Sequence, residues 1–294
     1  MKRFLIMNNW IKGESMKYKI AMDSAGELTA DLKGRPEYEI VPLILMIGDE
    51  EIVDDGTLDQ LEIVKKIAAA PKCPKTACPS PEAYMKAFDC GAEHVYGVTI
   101  SGALSGSYQS AMIAREMYLE KYPGAKIHVF NSRSTSVAET IIVLKIREME
   151  EAGVPFEEIV RTLDEYCVKK NTLFTLDNLE TLRKNGRLSR LKALAATVLR
   201  IKPILMGTPE GEIEQLDQAR GANRALLKMV QHVVERTTNS NDKILGISFV
   251  NCRERAIMVR DAILERMQVK EVVMIETGGL STVYANDGGI IVVI

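Results

Sequence analysis

The side chains best placed to do chemistry in this chain are hydroxyls at the ends of apolar runs, and the chemistry they suit is anion binding. In residues 98–114, VTISGALSGSYQSAMIA, an apolar stretch gives way to a Gly/Ser loop and then to a helical pattern with small residues at its start. Such a loop can aim backbone N–H groups and hydroxyls at an anion, with the dipole of the helix assisting. Ser105 and Ser107 stand where either a helix cap or an anion contact belongs. A tight turn with a serine cap and no ligand is the plainer reading. In residues 75–84, KTACPSPEAY, Pro79 and Pro81 stiffen an exposed segment in which Thr76 offers another hydroxyl. Read without a ligand, that segment is a linker ending at the cap of the next helix. Asp23 and Ser24, in KIAMDSAGEL, close an apolar run with a polar pair and suit a helix cap equally well.

Other chemistries find little support. The chain has no G-x-x-x-x-G-K-[ST] loop and no G-x-G-x-x-G fingerprint, and the order Gly-Ala-Leu-Ser-Gly differs from a G-x-S-x-G nucleophile elbow. Three histidines are present, His94, His128 and His232, none with a cysteine or carboxylate at metal-ligand spacing. The five cysteines are odd in number and form no C-x-x-C pair, which favours free thiols and a reducing cytoplasm. No metal, no cofactor and no Ser-His triad are expected. One electrostatic feature stands out: residues 183–202 hold seven basic side chains and no acidic one, whereas residues 146–166 hold seven acidic and two basic. Solvated helix faces explain this as readily as a basic face for an anionic partner or headgroup.

These groups must be positioned by an ordinary globular fold. At 294 residues, with 46% hydrophobic and 27% charged side chains, the chain has ample material for a core and is not disordered. A net charge of −2 gives no whole-protein field for nucleic acid. No segment fits a signal peptide or a transmembrane helix. Short apolar runs alternate with amphipathic ones, an α/β pattern. Strands are expected over 18–22, 39–47, 95–100 and 126–131, with helices over 58–70, 81–88, 106–121, 134–152 and 156–169, so the first half should be a mostly parallel sheet flanked by helices. A second series of strands follows over 172–176, 201–206, 212–218, 243–250, 271–276 and 289–294, with helices over 179–184, 191–200, 222–237 and 254–267. The expected division is an N-terminal α/β domain over 17–168, preceded by an extension over 1–16, and a C-terminal α/β domain over 169–294. Strand ends at a sheet's carboxyl edge are where such folds bind ligands.

Taken together, these motifs resemble the DegV family, bacterial fatty-acid-binding proteins that present an acyl chain to a fatty acid kinase. The resemblance runs from residue 17 to 294. It rests on MDSAGEL after the first strand, KTACPS for the family's Thr-Ser-x-Pro loop, ISGALSGSYQSA for its Ser-rich loop, LETLRKNGRLS, LRIKPIL and Arg220. It implies a two-domain fold with the lipid site between the domains. It further implies that the ligand's carboxylate is held by Thr76 and Ser105. A C-terminal histidine usually completes the site; here STVYANDGG occupies that stretch and Tyr284 stands at the histidine's position. Tyr284 then either lines the site or supplies a hydroxyl in the histidine's place.

The resemblance implies a carrier and not an enzyme. It implies a long-chain fatty acid as ligand and a kinase subunit as partner, and transient contact at a membrane surface and no nucleic acid are expected. Two hydroxyls and loop N–H groups can hold a buried carboxylate without a fixed positive charge. At about 0.8 kcal/mol per buried CH₂, a sixteen-carbon tail gains on the order of 11 kcal/mol. Arg187 and Arg190, in the basic segment, are expected to dock the kinase and to stand apart from the acyl site. Two rival readings carry other expectations. A phosphotransferase similar to the dihydroxyacetone-kinase group needs a histidine near the Ser-rich loop. A regulatory module acting through residues 183–202 needs no ligand.

Overall fold

A computed structural model describes residues 16–188 and 201–294. Arg190, the helix expected over 191–200 and all but the last residue of the expected extension lie outside the described residues. The first half runs β1 (Tyr18–Asp23), β2 (Tyr38–Val41), β3 (Leu43–Ile47), β4 (Glu50–Asp54), α1 (Gln60–Ala69), β5 (Lys75–Ala77) and α2 (Pro81–Phe88). It continues through β6 (His94–Thr99), α3 (Ser107–Lys121), β7 (Lys126–Asn131), α4 (Val137–Glu151) and α5 (Phe156–Lys169). The second half comprises β8 (Thr172–Thr175), α6 (Glu180–Lys184), β9 (Ile201–Gly207), β10 (Ile213–Arg220) and α7 (Ala222–Arg236). After these come β11 (Ile244–Phe249), α8 (Arg253–Leu264), β12 (Glu271–Glu276), α9 (Gly279–Ala285) and β13 (Ile290–Val293).

Three sheets organise these elements. β2, β1, β6 and β7 form a parallel sheet in that order, with Ile20 opposite both Tyr38 and Tyr96. All six residues of β1 are buried, as expected of a central strand covered on both faces. The order β10-β9-β8-β13-β11-β12 forms the second large sheet, antiparallel except for the β11–β12 pair. The third, β4-β3-β5, is small and antiparallel.

That small sheet corrects the single strand expected over 39–47. Pro42 has no N–H to give and ends β2, and the chain leaves the parallel sheet at that point. Ser24 Oγ then accepts the Leu43 N–H at 3.0 Å, steering β3 into its own sheet. β3 returns as β4 through a two-residue turn with Gly48 at φ 63°, the left-handed region glycine tolerates.

Helix α4 joins the two large sheets. Ten of its fifteen residues are buried, and it packs against β1 and β6 on one side and β11 and β13 on the other. A Cβ at Gly246 on β11 would come within 2.7 Å of Ile141, so the helix and strand meet at the closest approach a side chain would forbid. The largest apolar cluster accordingly runs from Tyr18 in β1 through α4 to Val293 in β13. Helices α2 and α3 cover the other face of the parallel sheet, and α7 and α8 the other face of the second.

Candidate ligand site between the sheets

A cavity of about 840 Å³, counting its open mouth, lies where the halves meet. The junction of two α/β halves is a common place for a small-molecule site. Its walls are largely apolar, with Leu43, Ile100 and Leu104 from the first half and Phe174, Ile213 and Ile291 from the second. Thr76, Ser105, Tyr284 and Arg187 also line it.

Thr76 sits in the middle of β5, not in a loop, paired with Leu45 of β3. The segment also makes the helix cap of the plainer reading, since Ser80 Oγ accepts the Ala83 N–H at 3.3 Å and Pro81 opens α2. Tyr284 is one residue from the end of α9, and its Oη lies 3.0 Å from Thr76 Oγ1. One hydroxyl donates in that pair, which leaves the other proton for a ligand.

Ser105 precedes α3, and its Oγ accepts the Ser107 N–H at 3.2 Å. It therefore satisfies the first amide of α3, whose N-cap position is Gly106, and lines the cavity as well, with its own O–H proton unused by that bond. Ser107 is different. It is fully buried, donates to Asp23 Oδ2 and lies 2.6 Å from Tyr84 Oη. Asp23 also accepts from Ile100 N and Ala25 N, both at 3.1 Å. Asp23 and Ser107 thus tie strand ends together; Asp23 caps no helix, and neither residue lines the cavity.

Arg187 overturns an expectation. It lines the cavity, with its guanidinium 6.0 Å from the centre of the Tyr284 ring. Its Nε donates to Leu104 O at 3.1 Å and its Nη1 to Asn185 O at 2.5 Å. The cause is local: α6 ends at Lys184, and Gly186, at φ 76°, reverses the chain with Arg187 N bonded back to Leu182 O at 2.9 Å. The cavity wall near Tyr284 consequently has a fixed positive charge that the sequence reading did not include. The basic run is also less isolated than its composition implied. Arg183 and Lys184 both pair with Glu180, and Lys202 with Asp177 at 2.9 Å.

Elsewhere on the cavity wall stand Arg133, Ser134, Thr172 and Glu212. Ser134 Oγ meets Thr172 Oγ1 at 2.8 Å, and Arg133 donates to Pro209 O at 2.8 Å. No motif marked these residues, because it is the crossing of separate turns that brings them together. The three histidines are placed away from the cavity, each against a carboxylate: His94 on Glu150, His128 on Asp164 and His232 on Asp217. Among the described residues no group of three or more His, Cys, Asp or Glu side chains could hold a metal ion, and no helix is long and apolar enough to cross a membrane.

Two α/β halves thus meet at a largely apolar cavity edged by hydroxyls and by the guanidiniums of Arg133 and Arg187. Residues 17–294 match the family model described as "Uncharacterised protein, DegV family", and the chain belongs to that family. A DegV domain-containing protein of Streptococcus gordonii is 33% identical over 278 residues, 94% of this chain and 98% of the relative. Among solved structures, a Ruminococcus gnavus DegV family protein with vaccenic acid is 48% identical with a TM-score of 0.92, covering 96% of this chain and 100% of its own. A Eubacterium eligens DegV family protein loaded with heptadecanoic acid is 34% identical, with a TM-score of 0.85 and coverage of 94% and 98%. The Fatty Acid Kinase B3 protein of Streptococcus pneumoniae, loaded with linoleic acid, is 31% identical, with a TM-score of 0.85 and coverage of 95% and 99%.

Proposed function

We propose that this protein binds a long-chain fatty acid, with the carboxylate at Thr76, Ser105, Tyr284 and Arg187 and the tail in the apolar cavity, and presents it to a separate fatty acid kinase. The observation that carries this reading is the Thr76–Tyr284 hydroxyl pair at the wall of a largely apolar cavity, beside the Arg187 guanidinium. Charge-assisted hydrogen bonds to a carboxylate are about twice as strong as neutral ones, and an arginine offers them in a planar fork. Burying a tail of sixteen carbons supplies on the order of 11 kcal/mol before the costs of ordering it.

The fatty acids held by three similar proteins support the ligand class. The name of the pneumococcal relative supports the kinase partner, which would phosphorylate the carboxylate while this chain carries acid in and acyl phosphate out. The phosphotransferase alternative needs a histidine at the Ser-rich loop, and all three histidines are held elsewhere by Glu150, Asp164 and Asp217.

Mass spectrometry of an organic extract of the purified protein tests the reading. Protein made in lipid-replete cells should release close to one long-chain fatty acid per molecule. An extract at background level, from protein that also fails to bind added oleate, would remove the carrier function.

A further inference from the structure

We propose that Asp54 is a positioning residue for the ligand site: from the edge of the small sheet it fixes the start of α9, so that Tyr284 near the helix end meets Thr76 of the same sheet. The inference rests on the fatty-acid reading for its consequence, though not for its geometry.

Asp54 is 1% exposed and is the last residue of β4. Its Oδ2 accepts the Leu280 N–H at 2.7 Å and its Oδ1 the Gly279 N–H at 3.2 Å, the first two amides of α9. Residues directly opposite on neighbouring strands share a face, as do residues two apart on one strand. Asp54 faces Leu43 and Thr76 faces Leu45, so all four side chains lie on one face of the small sheet. Helix α9 packs on that face, with Leu280 and Val283 clustered against Leu43, Leu45 and Ile47.

The sheet thus holds the helix at two points, one from each outer strand. Asp54 on β4 takes the amides at residues 279 and 280, and Thr76 on β5 takes the Tyr284 hydroxyl, one helical turn beyond Leu280. A shift of α9 along its axis would break both contacts together. The approach at the first point requires glycine: a Cβ at Gly279 would stand 2.6 Å from Asp54 Oδ1. Glu27, from the loop after β1, adds a third amide contact through Gly278 N at 2.9 Å, and Ser281 Oγ donates to Ala25 O at 2.9 Å. Asp54 itself does not line the cavity, whereas Leu280, Ser281, Tyr284 and Ala285 of α9 do. Its influence on a ligand therefore passes through the helix.

The first measurement needs no ligand. With 3-fluorotyrosine incorporated, the Tyr284 resonance is identified as the one lost in Tyr284→Phe. It should move in Thr76→Val, which deletes its partner, and move similarly in Asp54→Asn. A Tyr284 resonance that moves in Thr76→Val but stays fixed in a folded Asp54→Asn would overturn the inference. The second measurement is a double-mutant cycle on oleate affinity. Asp54→Asn should weaken binding about tenfold, within the range of coupling between distinct sites, and adding Tyr284→Phe should weaken it less than twofold further. Additive losses would show that Asp54 does not act through Tyr284 and would overturn the inference. Should Asp54→Asn fail to fold, Gly279→Ala displaces the carboxylate from the helix side and must give the same non-additivity with Tyr284→Phe. A parent protein that binds no oleate would sink the proposed function and leave the fluorine test standing.

Discussion

Thr76 and Tyr284 share a single bond of 3.0 Å between two hydroxyls, so one of their two protons is not used within the pair. Thr76→Val keeps the shape of the side chain and deletes the donor. Its fatty acid affinity should fall about 10- to 150-fold, the cost of leaving a buried charged group short of one hydrogen bond, measured by titration calorimetry. Ser105→Ala should fall in the same range and also lose about 1 kcal/mol of stability, because Ser105 Oγ holds the Ser107 N–H. Unchanged affinity in both variants, with normal melting, would remove the clamp assignment. Arg187 and Arg190 carry different predictions: Arg187 lines the cavity, and Arg190 lies outside the described residues. Arg187→Gln should weaken fatty acid binding, since its guanidinium stands against the Tyr284 ring in the cavity wall. Arg190→Glu should leave binding within about twofold and lower turnover by the kinase, most clearly at low salt. Equal turnover by Arg190→Glu and parent would end the docking role.

Among the elements, the hairpin of β9 and β10 approaches the first half very closely at Gly211. Its carbonyl accepts from Ser101 Oγ at 2.7 Å, its φ is 86°, and a Cβ there would lie 2.2 Å from Ser101 Oγ and 2.9 Å from Arg133 Cα. Gly211→Ala should therefore cost about 3 kcal/mol or more in denaturant unfolding. Gly34→Ala is the control: φ is 78° but no atom lies within 4 Å, so only the backbone penalty of about 1 kcal/mol applies. Equal costs would show that the close approach is immaterial. Elements with a strong period were legible in the sequence: α2, β7, α5 and β12 begin and end where the pattern placed them. Others were not, for physical reasons. After Glu39 the run to Ile47 is uniformly apolar, and only the lone Pro42 marks the change of sheet. β4, Glu-Glu-Ile-Val-Asp, is an edge strand with exposed polar positions and shows no alternation. α9 is short and buried on all sides, so it has no polar face to reveal a helical period. Thr76, Ser105 and Tyr284 could be picked out as candidates because the family resemblance attaches to short motifs around them, and all three line the cavity. Arg187 could not, because a charge pattern does not show where a chain reverses, although Gly186 carried that signal.

At the scale of the whole molecule, buried carboxyls should govern how stability varies with pH. Burial pushes Asp23, Glu27, Asp54 and Glu139 all upward, Glu27 to about 8 and Asp54 to about 6. At a pH between its unfolded and its folded value, each keeps in the folded state a proton that the unfolded chain has released. Their contribution is full below the unfolded values and is lost as pH rises through the folded ones. Burial holds Lys170 down to about 8, and its opposing effect is confined to higher pH. The melting temperature should rise as pH falls from about 8 to about 6, and Glu27→Gln should flatten that slope. A midpoint that is level or falls over this window would contradict the assignment. The shared helix α4 has a consequence for how the protein comes apart. Two halves with private cores could melt one after the other, but here the largest apolar cluster is common to both sheets, and stripping one half away would expose the apolar surface of α4. Calorimetry should accordingly show one endotherm whose van't Hoff and calorimetric enthalpies agree, and residues 17–168 expressed alone should expose apolar surface and bind hydrophobic dyes. The two halves are then a single cooperative unit, and a destabilising change in either is felt at the cavity wall they both build.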